Sequence, residues 1–160
     1  MTAYPLTSYN YRVEINVRAI GNSLCEAAFS ECDGLEMTMD VKTIREGGNN
    51  TQQIRLAGPV NYGTATLKRG MTASSLQLWE WFSKQQQASP AEMRDDLRGQ
   101  ATVVLLSPAG KEQLVFTLRK CLLTKLKVPA LNAKDGVVAI EELQLTYESM
   151  SVRPGEALNA

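Results

Sequence analysis

Polar and apolar residues alternate with a period of two in several stretches of this chain, and this pattern constrains the fold more than any other feature. In residues 9–17, tyrosine, valine and isoleucine occupy every odd position and polar residues every even one. The pattern recurs at residues 35–42, 114–119 and 142–148, and residues 101–106 are apolar on both faces. Successive side chains of a β-strand point to opposite faces, so each stretch is predicted to be a strand with a buried face.

One segment breaks this period. Apolar residues in 72–84 recur at three- and four-residue spacing, which is typical of an amphipathic helix. We expect a helix at about 73–84, with Thr72, Ser74 and Ser75 as candidate N-caps and both tryptophans anchoring it on the sheet. The predicted structural core draws on this helix and on the strands that follow it: Leu76, Trp79, Phe82, Leu114, Phe116, Leu143 and Leu145.

The order of these elements predicts a mainly β domain, a small barrel or sandwich with one packed α-helix. At 160 residues the chain is long enough for one domain with a substantial core, and no internal repeat divides it. Within a single domain at 1–160 we expect a long hairpin at about 35–66 and a C-terminal strand at about 137–149.

Charge and composition argue against several functions. Lysine plus arginine and aspartate plus glutamate both number 17, so the net charge is zero, which disfavours a specific nucleic-acid binder. The chain has no histidine, the commonest general base and metal ligand. No phosphate-binding or dinucleotide motif is present, and Glu141 and Glu142 are interpreted as solvated surface acids. We therefore expect no enzyme activity, no catalytic residue, no cofactor and no metal.

The chain also lacks the signals of a membrane or secreted protein. No apolar stretch is long enough for a membrane span, and the N-terminus has no apolar signal region. We therefore expect the protein to be made and kept in the cytoplasm, or to leave it by an unusual route. Three cysteines, Cys25, Cys32 and Cys121, are an odd number and are interpreted as free thiols.

The turn of the predicted hairpin, Gly47-Gly48-Asn49-Asn50, suggests a contact with another chain. The eleven residues 35–45 reach about 36 Å when extended, close to the roughly 40 Å diameter of such a domain. The hairpin therefore either crosses the whole domain or overhangs it. Glycines permit the positive φ of a tight turn, and amide side chains donate and accept hydrogen bonds without a charge to desolvate. We interpret the hairpin as an arm that contacts a neighbouring subunit.

Several motifs in order make the chain resemble the tail tube proteins of contractile phage tails and of extracellular contractile injection systems. The resemblance covers about residues 5–150 and lies in the following motifs: Phe29-Ser30-Glu31, Gly34-Leu35-Glu36, Arg45–Asn50, Gly58-Pro59, Tyr62-Gly63, Leu67–Gly70, Leu78-Trp79 and the ending at 131–150. The family is related in fold to the type VI secretion tube protein.

The resemblance implies a hexameric ring built on a β-barrel, with rings stacked into a rigid inner tube that sheath contraction drives through a target envelope. The implied partners are further copies of the chain, the sheath protein, baseplate or tube-initiator proteins, tape-measure and terminal cap proteins, and protein cargo in the lumen. The resemblance also implies assembly in the bacterial cytoplasm and a phage tail-like particle that is either released from the cell or retained in it. The predicted inter-subunit residues are Arg45, Glu46, Gly47, Gly48, Asn49, Asn50, Gln52, Gln53, Lys68 and Arg69, the last two pairing with acids of an adjacent subunit.

Two alternatives remain open at this point. One is a close relative, either a tube initiator at the baseplate or the tail tube of a phage that delivers DNA. The other is a monomeric β-barrel that binds a small ligand in its core, for which the sequence supplies no distinctive polar cluster.

Overall fold

A computed structural model describes residues 6, 10–27, 29–45, 47–48, 51–71, 75–91, 97–134, 136 and 138–156, with the backbone alone for 22–27. The described residues form strands and one helix in this order: β1 (Tyr11–Val17), β2 (Gly21–Ala27), β3 (Glu31–Asp33), β4 (Met37–Ile44), β5 (Ile54–Tyr62), β6 (Thr64–Gly70), α1 (Ser75–Gln87), β7 (Gly99–Leu106), β8 (Glu112–Lys127), β9 (Ile140–Thr146) and β10 (Ser149–Pro154). The prediction of a mainly β fold with one helix is confirmed.

Eight of the strands form one antiparallel sheet, in the order β2-β1-β7-β8-β9-β6-β3, with β10 also paired to β8. Strand β8 is 16 residues long and serves both halves of this sheet. Its residues 112–121 pair with β7 and its residues 122–127 with β9. Lys120, between them, has a φ of 54°. This conformation is uncommon for a residue with a side chain, and it marks the bend between the two halves.

The two halves pack against each other as layers. The first layer contains β1, β2, β7, β10 and residues 112–121 of β8, and the second contains β3, β6, β9 and residues 122–127 of β8. Strands β1 and β6 are not neighbours in the sheet, yet their inward side chains belong to one hydrophobic core. The fully buried aliphatic side chains follow the alternation in the sequence: Val13, Ile15, Val17, Leu67, Leu118, Leu143 and Leu145. Each stabilises the fold by about 1.5–3 kcal/mol relative to an exposed position.

Helix α1 covers one end of this core. Trp81 is fully buried, and its indole N–H donates a hydrogen bond to the Leu97 carbonyl at 2.7 Å. Further along the same face, the side-chain amide of Gln85 bonds both backbone groups of Leu123, accepting from its N–H at 3.0 Å and donating to its carbonyl at 2.9 Å.

The other face of α1 is exposed, and it carries two residues that were predicted to lie in the core. Leu76 is 74% exposed and Trp79 is 40% exposed, so the prediction that they lie in the core is wrong. The inward face instead carries Ser75, Leu78 and Trp81. The predicted residues Phe82, Leu114 and Phe116 are half-buried. Thr72 and Ser74, two of the candidate caps, lie outside the described residues.

Candidate assembly surfaces

The β4–β5 hairpin is a separate two-stranded sheet that carries an apolar surface. Every residue of β4 is exposed, as are most residues of β5. Its large apolar side chains are between 39% and 56% exposed: Met37, Met39, Val41, Ile44, Ile54, Leu56 and Val60. Large contiguous apolar patches on a protein surface mark sites of interaction. The hairpin is therefore the first candidate surface for contact with another chain.

A β-bulge divides the hairpin into two parts. Met39 pairs with Val60 and Val41 with Ala57, so two residues of β5 oppose Asp40. A Cβ atom at the first of them, Gly58, would lie 2.4 Å from the Asp40 carbonyl oxygen. Only glycine therefore permits this approach. The second, Pro59, has no backbone N–H, so it needs no acceptor inside the bulge.

The apolar surface lies on both faces of the hairpin. Residues that pair directly across two strands share a face. Near the base, Met37 and Met39 share a face with Val60. Near the tip, Ile44 and Ile54 pair with each other on the opposite face. A partner that covers only one face would therefore leave an apolar patch in water.

The predicted arm residues lie at the tip of this hairpin. Arg45, Gly47 and Gly48 are exposed, and so are Gln52 and Gln53. Gly48 has a φ of 97°, the positive value that was expected in this turn, whereas Gly47 does not. Glu46, Asn49 and Asn50 lie outside the described residues. The role of these residues in assembly stays a prediction.

Tyr147 holds the base of the hairpin. Its hydroxyl lies 2.9 Å from the Gly34 carbonyl and 3.1 Å from the Glu36 carbonyl, and it accepts a hydrogen bond from the Glu36 N–H at 3.2 Å. Its ring packs on Tyr62 with 5.7 Å between centroids. Burial raises the pKa of Tyr147 above its usual value, although hydrogen bonds to the backbone oppose this effect. The hydroxyl is therefore protonated at neutral pH and can donate to the hairpin.

Replacing Tyr147 by phenylalanine should loosen this attachment. We expect the free energy of unfolding to fall by about 1–2 kcal/mol, because the Glu36 N–H loses an acceptor in a partly buried place. Hydrogen exchange should accelerate at the Glu36 amide and stay unchanged in β1. Tyr62→Phe is the matched control, since no hydrogen bond joins its hydroxyl to a described residue. Unchanged exchange at Glu36 in Tyr147→Phe would contradict this role.

Arg69 is not on the surface, and the prediction that it pairs with an adjacent subunit is wrong. It is 1% exposed, and its Nε lies 2.5 Å from the Glu141 carboxylate of the same chain. The same carboxylate oxygen accepts a hydrogen bond from the Ser75 hydroxyl at 2.9 Å. The Arg69 guanidinium also lies over the Phe29 ring, 5.6 Å from its centroid. Glu141 is therefore a buried acid that ties the start of α1 to β6 and β9, and its interpretation as a surface acid is corrected.

Lys68 is partly exposed and has an acidic partner within its own chain. Its Nζ lies 3.4 Å from the Glu31 carboxylate on the neighbouring strand. The predicted acidic partner was a residue of an adjacent subunit, whereas Glu31 belongs to the same chain. Lys68 also lies directly opposite Glu142, which in turn lies opposite Lys127. A row of alternating charge therefore crosses the polar face of the second layer.

The structure also bears on the cysteines and on metal binding. Cys32 and Cys121 are free thiols, and burial raises the pKa of each to about 11, so both are protonated at neutral pH. Cys25 lies in β2, where only the backbone is described.

Among the described residues, no group of three or more cysteine, aspartate or glutamate side chains is placed to hold a metal ion. Within the same part of the chain, no helix combines the length and the apolar character that a membrane span requires.

A surface depression of about 410 Å³ lies in the loop between β8 and β9. It is lined by Pro129, Ala130, Leu131, Asn132, Val138, Ala139 and Ile140. Leu131 and Val138 are among the most exposed apolar residues of the chain. A ligand-binding barrel would have its site inside the packed core. This depression lies in a loop outside that core, so it does not support this alternative.

These features together define a class of protein. The described residues form a two-layered β domain with one helix and an exposed apolar hairpin, and a similar fold occurs in a solved extracellular contractile injection system. The chain is 28% identical to a chain in the cryo-EM structure of the anti-feeding prophage (AFP) baseplate, with a TM-score of 0.79, over 96% of this chain and 98% of that one. It is 18% identical to a chain in the sheath-tube complex of the extracellular contractile injection system PVC, with a TM-score of 0.75, over 94% and 93% of the two chains.

The family follows from the sequence itself. Residues 7–151 match the family model described as T4-like virus tail tube protein gp19, and the chain belongs to this family. No curated protein sequence matches the chain significantly. The fold is also similar to that of Hcp1 from E. coli EAEC 042, with a TM-score of 0.52 at 10% identity over 94% of each chain. Hcp is the tube protein of type VI secretion, so the expected relation in fold to that protein is confirmed.

Proposed function

We propose that this protein is the repeating subunit of the inner tube of a contractile injection system. Six copies form a ring, and rings stack into a rigid tube. Contraction of a surrounding sheath then drives the tube through a target envelope. The subunit contributes shape and contacts, and it performs no catalytic step.

The hairpin is the observation that carries this proposal. Its apolar side chains are exposed on both faces, while Tyr147 and Gly34 hold its base against the core. A monomer would present this surface to water, where it promotes aggregation. In a stacked assembly, each hairpin is covered by neighbouring copies. The AFP and PVC structures support the proposal, because this chain and theirs match over almost their whole lengths.

The proposed partners follow from the place of such a subunit in the particle. Further copies cover the hairpin, a sheath protein surrounds the tube, and baseplate and terminal cap proteins bind its two ends. A tape-measure protein sets its length, and the lumen carries protein cargo. The tube is assembled in the cytoplasm and ends in a phage tail-like particle.

A second function, that of the tube initiator, also has support. One of the AFP structures that resemble this chain is a baseplate. An initiator would occur only at the baseplate end of the tube, whereas a repeating subunit occurs along its whole length. Immunogold labelling of particles whose sheath has been removed separates the two. We expect gold along the tube, and labelling at one end alone would assign the initiator role.

Electron microscopy of hairpin variants tests the main proposal. The wild-type protein should form rings and short tubes. Met39→Ser/Val60→Ser removes two paired apolar side chains from one face of the hairpin. Because both side chains are exposed, the melting temperature of the unassembled subunit should stay close to that of the wild type. Rings and tubes should be lost, because the same contact is lost at every copy.

Met39→Leu is the matched control, since it preserves an apolar side chain of similar volume and should assemble normally. Normal tubes from the double serine variant would refute the hairpin contact. A large fall in its melting temperature would instead show that the hairpin packs on its own domain. A wild-type protein that stays monomeric at high concentration, even with its baseplate, would refute the function itself.

A further inference from the structure

The second layer of the fold has two open edges. One edge is β3, which pairs with β6 on one side. The other edge is formed by residues 124–127 of β8, beyond the point where the Gln85 amide occupies both backbone groups of Leu123. Among the described residues, no strand pairs with the outer side of either edge. An open edge readily accepts a strand from another chain, so proteins protect such edges or use them.

The two edges carry opposite charges. On the polar face of the layer, β3 presents Glu31 and Asp33, and β8 presents Lys125 and Lys127. All four residues are exposed. Only Glu31 forms an ion pair with another described residue, Lys68. The edge charges are therefore largely available to a partner.

The charges also match in register. Reading across the layer, one row contains Glu31, Lys68, Glu142 and Lys127, and the next contains Asp33, Thr66, Gln144 and Lys125. Each row begins with an acid at the β3 edge and ends with a lysine at the β8 edge. All neighbours in the layer are antiparallel, so β3 and β8 run in opposite directions. The β3 strand of a second copy could therefore extend the layer in antiparallel register, placing Glu31 opposite Lys127 and Asp33 opposite Lys125.

We propose that the β3 edge of one copy contacts the β8 edge of the next, with Glu31 and Asp33 facing Lys127 and Lys125. The contact is head-to-tail, because two β3 edges or two β8 edges would bring like charges together. A head-to-tail contact closes into a ring when its rotation permits. This inference rests on the proposed ring, and it adds the residues that join its copies and the charges that select their order.

Charge reversal tests the contact. Variant A, Glu31→Lys/Asp33→Lys, has two basic edges, and variant B, Lys125→Glu/Lys127→Glu, has two acidic edges. Each variant alone should lose rings, with the association constant at low salt reduced by about 100-fold or more. A one-to-one mixture of A and B should regain rings, because basic and acidic edges alternate around an even number of copies. The chain that combines all four substitutions should regain them as well.

Native mass spectrometry and electron microscopy measure the rings, and thermal melting checks that each variant is folded. Lys111→Glu/Lys134→Glu is the matched control. It changes the net charge as variant B does, at exposed residues that belong to neither edge strand, and it should form rings as the wild type does. Rings from A or B alone at the wild-type level would overturn the inference and leave the proposed function standing. Loss of rings that neither the mixture nor the combined chain restores would also overturn it. A wild-type protein that does not associate at all would overturn both.

Discussion

Replacing Trp81 by alanine should destabilise the subunit by about 3–5 kcal/mol, one of the two largest effects expected for this chain. Trp81 is fully buried, and its indole N–H bonds the Leu97 carbonyl. The substitution opens a large cavity and leaves this carbonyl without its donor. Small domains have a total stability of about 5–15 kcal/mol, so the variant should show a much lower soluble yield.

Trp79→Ala is the matched control, because it removes the same side chain from the outer face of the same helix. Trp79 is 40% exposed, and its loss should reduce the free energy of unfolding by about 1 kcal/mol or less. Urea denaturation of the unassembled subunits, followed by circular dichroism, compares the two without relying on tryptophan fluorescence. An effect of Trp79→Ala as large as that of Trp81→Ala would contradict the assignment of the inward face.

Replacing Glu141 by alanine should lower the free energy of unfolding by a similar amount, about 3–5 kcal/mol. The substitution removes the carboxylate that pairs with the buried Arg69 and accepts from the Ser75 hydroxyl. A buried guanidinium that loses its acidic partner retains the cost of desolvation without the attraction that offsets it. Glu141→Gln, which preserves the shape and an acceptor oxygen, should have a smaller effect.

An exposed ion pair provides the control. Glu80 and Lys84 lie 3.3 Å apart on the outer face of α1, with about half of each side chain in water. Glu80→Ala should reduce the stability by about 0.5 kcal/mol or less, because water and salt screen such a pair. Both variants are compared with the wild type by urea denaturation at neutral pH. An effect of Glu141→Ala as small as that of Glu80→Ala would contradict the burial of the Arg69–Glu141 pair.

The strands could be predicted from the sequence because alternation is a local property. The inward faces of β6 and β9 could also have been predicted in full. Glu141 has the same parity as Leu143 and Leu145, and Arg69 has the same parity as Leu67. Period two therefore places both charged residues inward, where a buried acid requires a cation. Their charge led instead to an interpretation as surface residues.

The helix shows where local patterns are not sufficient. Its spacing allows two faces, one with Leu76 and Trp79 and one with Leu78 and Trp81. The second face also carries Gln85, and hydrophobicity alone does not favour it. It lies inward because Gln85 bonds the backbone of Leu123 and Trp81 bonds the Leu97 carbonyl. Such partners are distant in sequence, so the sequence alone does not identify them.

For the candidate assembly surfaces, too, local features could be predicted from the sequence, whereas features that depend on distant partners could not. The exposed hairpin was predicted from the length of its strands and from its turn. The charged edges were not, because the rows that join Glu31 to Lys127 depend on the pairing of four strands that are separated along the chain. The repeated spacing of two residues, in Glu31 and Asp33 and in Lys125 and Lys127, was the local signal of a shared face.

The continuity of β8 has a mechanical consequence. Its 16 residues pass through both layers, so the layers are joined by covalent backbone as well as by packed side chains. A push along this strand reaches the second layer through peptide bonds, which are far stiffer than contacts between side chains. Each subunit should therefore resist shear as a single rigid body. In the proposed tube under the load of contraction, deformation would then concentrate between copies, at the proposed hairpin and edge contacts.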